Sequence, residues 1–226
     1  MSVIYQDSNG FYYVVTNETG CWVNWSYVDP DTRQYYPYEP HILNNAKLIF
    51  DMLHDSGWST MAICATLGNM IAESRMNPAQ TQDGTHIGGT GGYGLAQWTP
   101  SSKYTNWARN ENHDIYLGYW QVVYLTGSGD QWIINPQYSY NLSWNDYINY
   151  NSSDHDIRWL ASAFFHNYER GSYLETYRQD CAEWYLNYFG GYTPDPPPYP
   201  PDPTPFRRRK KQMPLWMMLR NKLYET

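Results

Sequence analysis

Glu73 is the residue on which chemistry can be built. It closes a predicted helix in which Ala62, Ile63, Leu67, Met70 and Ile71 recur at helical spacing. Ser59 is placed to cap that helix, which is expected to end near Ser74, ahead of Pro78. Two effects at such a position favour the protonated carboxyl. Burial against Met70 and Ile71 would desolvate a negative charge, and the negative end of the helix dipole would disfavour it again. A protonated carboxyl is what a general acid at neutral pH requires. A glycosidic oxygen leaves poorly until it is protonated, so an acid placed this way is the minimum equipment for cutting a sugar chain. Position alone does not separate such a residue from a solvated glutamate at a helix end.

Three regions would have to position it. Residues 1–40 carry the β-prone runs FYYVVT and CWVNWSY, separated by Asn17-Glu18-Thr19-Gly20, which predicts a hairpin. Pro30, Pro37 and Pro40 then mark an extended connector. Residues 41–192 read as a compact helical domain. Ile42, Ala46, Ile49, Phe50 and Leu53 form one helical stripe closed by Gly57. Met76 to Trp98 is Gly-rich and polar, as a loop or small β-hairpin would be. Further helical patterns cover 101–109, 115–125, 144–148, 154–168 and 173–189, with an irregular stretch over 126–143. Residues 193–226 form a tail: TPDPPPYPPDPTP is a polyproline II spacer, followed by RRRKK and the amphipathic MPLWMMLRNKLYET.

Composition narrows the partners. Of the 226 residues 18% are aromatic and only 16% charged, with 24 Tyr and 11 Trp, a surface suited to stacking on sugar rings or to packing in cores and subunit contacts. Net charge is −7, divided into a tail at +4 from Thr193 onward and a body at −11. An acidic body argues against nucleic acid as a partner. Cys21, Cys64 and Cys181 show neither metal spacing nor a disulfide framework, and His54, His86 and His113 lack any HExxH arrangement. Neither a metal nor another cofactor is expected. The start, MSVIYQDSNG, does not read as a secretory signal, and no stretch is apolar enough to span a bilayer. Delivery to a site outside the cell is therefore expected to rely on something else.

From Gly68 the sequence reads GNMIAESRMNP, then TQDG, then GGTGGYGLAQW, with NAKLIFDMLHDSGWS upstream and FFHNYERGSYLETYRQDCAEWY downstream. In this order and spacing, over roughly Asn44 to Tyr188, the chain resembles the phage tail lysozyme family of the lysozyme superfamily, related to goose-type lysozymes and lytic transglycosylases. Those proteins carry a Glu-Ser pair at a helix end and a Gly-Leu-x-Gln segment in a small β-region; here these are Glu73-Ser74 and Gly94-Leu95-Ala96-Gln97. The resemblance implies that Glu73 is the catalytic acid and that Asn167 and Tyr168 line the cleft. Gly91, Gly92 and Gly94 would let backbone approach a glycan closely. Gln97 can hydrogen-bond an N-acetyl group, and Tyr93 and Trp98 can stack on pyranose faces, although Trp98 also suits a core. Asp83 is the leading candidate for a second carboxylate that orients water. Glu169 is the other candidate, with a structural ion pair to Arg170 as its competing role.

The expected fold is α+β and mostly α: a lysozyme-like domain with a small β-hairpin region, an aromatic N-terminal β-hairpin extension and a Pro-rich C-terminal tail. The resemblance implies a virion-associated glycoside hydrolase that cuts β-1,4 bonds of peptidoglycan glycan strands during entry, without cofactors. The extension and tail would contact other phage tail proteins, with the basic tail also suited to an anionic membrane surface. A lytic transglycosylase, a free endolysin held in the host cytoplasm before lysis, and a structural tail-tip plug with an inactive lysozyme fold remain as alternatives.

Overall fold

The computed structural model describes residues 2–7, 10–17, 20–25, 40–82, 87–171 and 174–190. The chain begins with a three-stranded antiparallel sheet in the order β1 (Ser2–Asp7), β2 (Gly10–Asn17), β3 (Gly20–Trp25). Residues 17 and 20 pair across the second turn, which is the hairpin expected from the sequence; β1 adds a strand that was not foreseen. The proline-rich and basic tail, 193–226, lies outside the described residues.

Among the described residues seven helices follow: α1 (Pro40–Asp55), α2 (Thr60–Ser74), α3 (Ser102–Asn110), α4 (Gly118–Thr126), α5 (Trp144–Ile148), α6 (Ile157–Phe164) and α7 (Glu175–Phe189). They fall close to where the apolar periodicity places them. The central one is α2, buried without a break from Ala62 to Ile71. A helix that is apolar all round belongs inside, and α1, α5, α6 and α7 all pack against this one. The Ser59 hydroxyl caps it by accepting from the Ala62 amide at 3.2 Å, and Arg75 ends it in the left-handed region at φ 57°.

α2 and α7 come into tight contact at Gly68. A β-carbon there would lie 2.5 Å from the Arg178 carbonyl oxygen and 2.6 Å from Ala182. Glycine is thus a requirement of the packing, and it brings Arg178 against the C-terminal half of α2. Arg158 joins α6 to α7 through Asp180 at 2.5 Å and Glu183 at 3.1 Å. Trp22, fully buried, carries the N-terminal sheet into the core against Gly118 at the start of α4.

Between α2 and α3 the expected small β-hairpin does not form among the described residues. Two isolated bridges occur among the described residues, Thr81 to Tyr93 and Tyr93 to Trp98. Side chains hold this loop instead. The Gln121 amide oxygen accepts from the Leu95 amide at 2.7 Å while its nitrogen donates to the Pro78 carbonyl at 2.8 Å, and the Gln82 amide oxygen accepts from Gly92 at 2.9 Å. With backbone groups satisfied by side chains, a strand ladder has little left to pair.

Candidate active site

Glu73 occupies the last turn of α2, with 20% of its side chain exposed. Its neighbour Ser74 is buried, and its hydroxyl bonds the Met70 carbonyl at 3.1 Å and the Leu95 carbonyl at 2.8 Å, tying the helix end to the 91–98 loop. The surroundings of Glu73 are not solely apolar. Oε1 of Glu73 accepts a charge-assisted hydrogen bond from Nη2 of Arg178, a residue exposed to only 7%. Arg178 is held in place independently. Its Nη1 donates to the Asn69 carbonyl at 3.2 Å and to the Asn69 side-chain oxygen at 3.3 Å, and its guanidinium lies 4.5 Å from the centre of the Phe165 ring.

Phe165 begins a π turn, Phe165–Glu169, that continues α6 and closes with Arg170 in the left-handed region at φ 55°. Single-turn π segments are rare and collect at functional sites. This one ends on Glu169, whose Oε1 is sealed from solvent with no hydrogen-bond partner. Burial, followed by the negative charge of Glu73, pushes the Glu169 carboxyl well above the usual carboxylate range, while Arg178 and Arg170 pull the other way. Arg170 itself donates to the Gln131 carbonyl at 3.3 Å. Arg178 thus pairs with Glu73, and its charge is also felt by the Glu169 carboxyl.

The residues expected to bind sugar have internal partners. Tyr93 is buried and its hydroxyl donates to the Ile115 carbonyl at 3.0 Å. The Gln97 amide donates to the Gly94 carbonyl at 2.9 Å and the Gln80 carbonyl at 3.1 Å. Trp98 and Tyr168 are buried together, indole Nε1 donating to the phenol oxygen at 3.0 Å. Asn167, with no exposure, accepts from the Asn135 amide and donates to the Tyr140 carbonyl, each at 2.9 Å. Asp83 lies outside the described residues. Among the described residues no cluster of His, Cys, Asp and Glu has the makings of a metal site, and no helix is long and apolar enough to cross a membrane.

Sequence reasoning passed over Arg178. A signal was present: on α7 it shares a stripe with Cys181, Ala182 and Tyr185, one cation at the spacing of a buried face. Buried cations are almost always paired, which points to a carboxylate on another element.

A mostly helical body with a carboxyl at the end of its central helix, beside a Gly-rich loop, has the layout of a lysozyme-like domain. The family model for phage tail lysozyme matches residues 44–189, and the chain belongs to that family. It is also similar to Morphogenesis protein 1 of Bacillus phage B103, with 34% identity over 131 residues. The match covers 56% of this chain and 33% of that protein, so the chain corresponds to about a third of the relative's length.

Proposed function

We propose that the protein is a virion-associated peptidoglycan hydrolase that cuts the β-1,4 bond between N-acetylmuramic acid and N-acetylglucosamine, with Glu73 as general acid. The observation that carries this reading is the position of Glu73: the end of a buried helix, partly exposed, tied through Ser74 to the Gly-rich loop, in a chain of the phage tail lysozyme family. The Glu73 proton passes to the glycosidic oxygen as the C1–O bond breaks, and water adds to the oxocarbenium-like carbon. Asp83 is the proposed water-orienting carboxylate. Tyr93, Gln97, Trp98, Asn167 and Tyr168 serve binding by fixing the loop and turn that frame the site, since their polar groups are already engaged within the fold.

The test compares the intact chain with Glu73→Gln on purified peptidoglycan, reading turbidity loss and the masses of released fragments. Wild type is expected to release muropeptides, and the variant to lose on the order of 100-fold or more in rate while remaining folded at the assay temperature. A reducing end on the product means hydrolysis, whereas an anhydro end means that the muramic 6-hydroxyl attacked, as in a transglycosylase. Equal activity in both would remove Glu73 from the mechanism.

The similarity to a protein named for morphogenesis favours a second role as part of a particle. Mass spectrometry of purified particles is expected to find the chain there. Its absence from particles, with wall activity intact, would support a free endolysin. Presence without wall activity would support a structural tail component.

A further inference from the structure

α3, the end of α4 and the short turn Gly129–Gln131 enclose a cavity of about 180 Å³ that the proposed chemistry does not use. Trp107, Tyr124, Asp130 and Gln131 are among its lining residues, and neither Glu73 nor Arg178 is. Gly127 and Asp130 are exposed, so the cavity opens to solvent. The Trp107 and Tyr124 rings, both half-buried, stand 5.1 Å apart with their planes at 45°, which makes a wedge. The wedge is held from behind. Nε2 of Gln131 donates to the Tyr124 hydroxyl at 3.1 Å, and the Ser128 hydroxyl donates to the Tyr124 carbonyl. The turn packs so tightly on Trp144 that a β-carbon at Gly129 would lie 2.6 Å from the indole Cδ1.

Three polar groups of this lining have no hydrogen-bond partner among the described residues: the Trp107 indole N–H, the Asp130 carboxylate and the Gln131 amide oxygen. Their chemistry selects a ligand. Aromatic faces take the C–H face of a sugar ring, and a few placed polar groups fix its orientation. An acetamido group offers one N–H and one carbonyl, for which the Gln131 oxygen and the Trp107 N–H are the matching acceptor and donor. A ring hydroxyl can donate to Asp130. An ammonium ligand would suit the rings and Asp130 but leave the indole N–H unmatched. The volume, below the roughly 300–1,000 Å³ of pockets for larger ligands, suits one ring. A muramic residue carries a peptide on its lactyl group and needs more room. The cavity is also joined to both elements beside Glu73. The Gln131 carbonyl accepts from Arg170, which closes the π turn, and Tyr124 stands edge-on to Trp98 of the 91–98 loop at 5.3 Å.

We propose that this cavity binds one N-acetylglucosamine residue of the glycan strand, as a holding site separate from the reacting carboxyl. It rests on the peptidoglycan substrate proposed above, and not on the acid role of Glu73. In the bound state the acetamido N–H donates to the Gln131 amide oxygen and its carbonyl accepts from the Trp107 indole. A hydroxyl donates to Asp130, and the C–H face lies in the wedge of Trp107 and Tyr124. None of these groups touches the breaking bond. The holding site therefore binds substrate and transition state alike, which lowers KM and leaves kcat where it is.

The experiment titrates the full chain with tri-N-acetylchitotriose and follows the indole N–H signal of Trp107 by NMR, assigned by its absence from Trp107→Phe. The signal is expected to move in wild type and equally in Glu73→Gln. Asp130→Ala, at an exposed position, is expected to weaken binding about tenfold and to raise KM on wall glycan by a similar factor. Cellotriose, with hydroxyls in place of the acetamido groups, is expected to bind at least about tenfold more weakly. A Trp107 signal that stays in place at the solubility limit of the probe overturns the proposal. So does equal affinity for cellotriose, or equal affinity in wild type and Asp130→Ala. Tighter binding of the chitosan trimer, whose amines are free, would mark an ammonium site and overturns it as well. Should Trp107→Phe fail to fold, calorimetric affinities of wild type and Asp130→Ala decide alone. The two readings fail separately. Full wall activity in Glu73→Gln defeats the acid assignment and leaves the Trp107 shift intact, while an inactive Glu73→Gln beside a still Trp107 signal defeats only the holding site.

Discussion

The 91–98 loop and the meeting point of α2, the π turn and α7 are built on opposite terms. In the loop, side-chain amides and hydroxyls close on one another: Gln121 holds Leu95 and Pro78, Gln97 holds Gly94 and Gln80, and Trp98 holds Tyr168. At the helix ends, Glu73 is paired with the Arg178 guanidinium, and both Glu169 and Arg178 keep a buried polar atom without a partner. A satisfied network rigidifies, whereas an unsatisfied one stores a capacity to rearrange. The loop is closed on itself, whereas the helix ends hold buried polar atoms that the fold leaves unmatched.

The larger test of that contrast is the pH dependence of stability. The Glu169 carboxyl titrates well above its ordinary range in the fold because it is buried beside Glu73. Its unfolded value is about 4.3. Between those two values the native state holds a proton that the unfolded chain has released. Stability from this group is thus fully present below about pH 4.3 and falls as pH rises through the folded value. Urea unfolding across this window should show a declining slope for wild type, and Glu169→Gln should flatten it. Parallel slopes in the two proteins would mean that Glu169 carries no bound proton, and the contrast between the regions would collapse.

How far the sequence discloses this arrangement depends on the range of each interaction. The end of α2 is legible because its signals are local: a Ser59 cap, an apolar stripe and Pro78 all lie within a few residues of Glu73. The hairpin of β2 and β3 is legible for the same reason. The partner of Glu73 is not, since Arg178 lies 105 residues away and reaches it only because Gly68 lets α7 come close. The burial of Glu169 depends on a π turn, which apolar periodicity does not distinguish from ordinary helix. In the loop, residue types suggested sugar ligands because an amide or indole can bond a sugar or the fold equally well. The internal partners the structure gives these groups, Gln80, Ile115 and Tyr168, lie far off in sequence or carry no signal in residue type.

A smaller effect separates these roles at Tyr168. Tyr168→Phe keeps the ring and removes the oxygen that accepts from Trp98 at 3.0 Å, leaving a buried indole N–H without an acceptor. The expected cost is about 1–2 kcal/mol of stability. For a chain of this size that lowers Tm by roughly 2–8 °C. If the phenol serves only the scaffold, kcat and KM on wall glycan stay close to wild type at temperatures where both proteins are folded. If it touches the sugar, the ranking reverses: KM or kcat suffers by about tenfold or more while Tm hardly moves, because a lost substrate hydrogen bond is felt in the complex and not in the free fold. Thermal unfolding measured beside kinetics on the same preparation decides between the two. A kinetic loss without a stability loss would return Tyr168 to the cleft and give the loop a direct share in recognition.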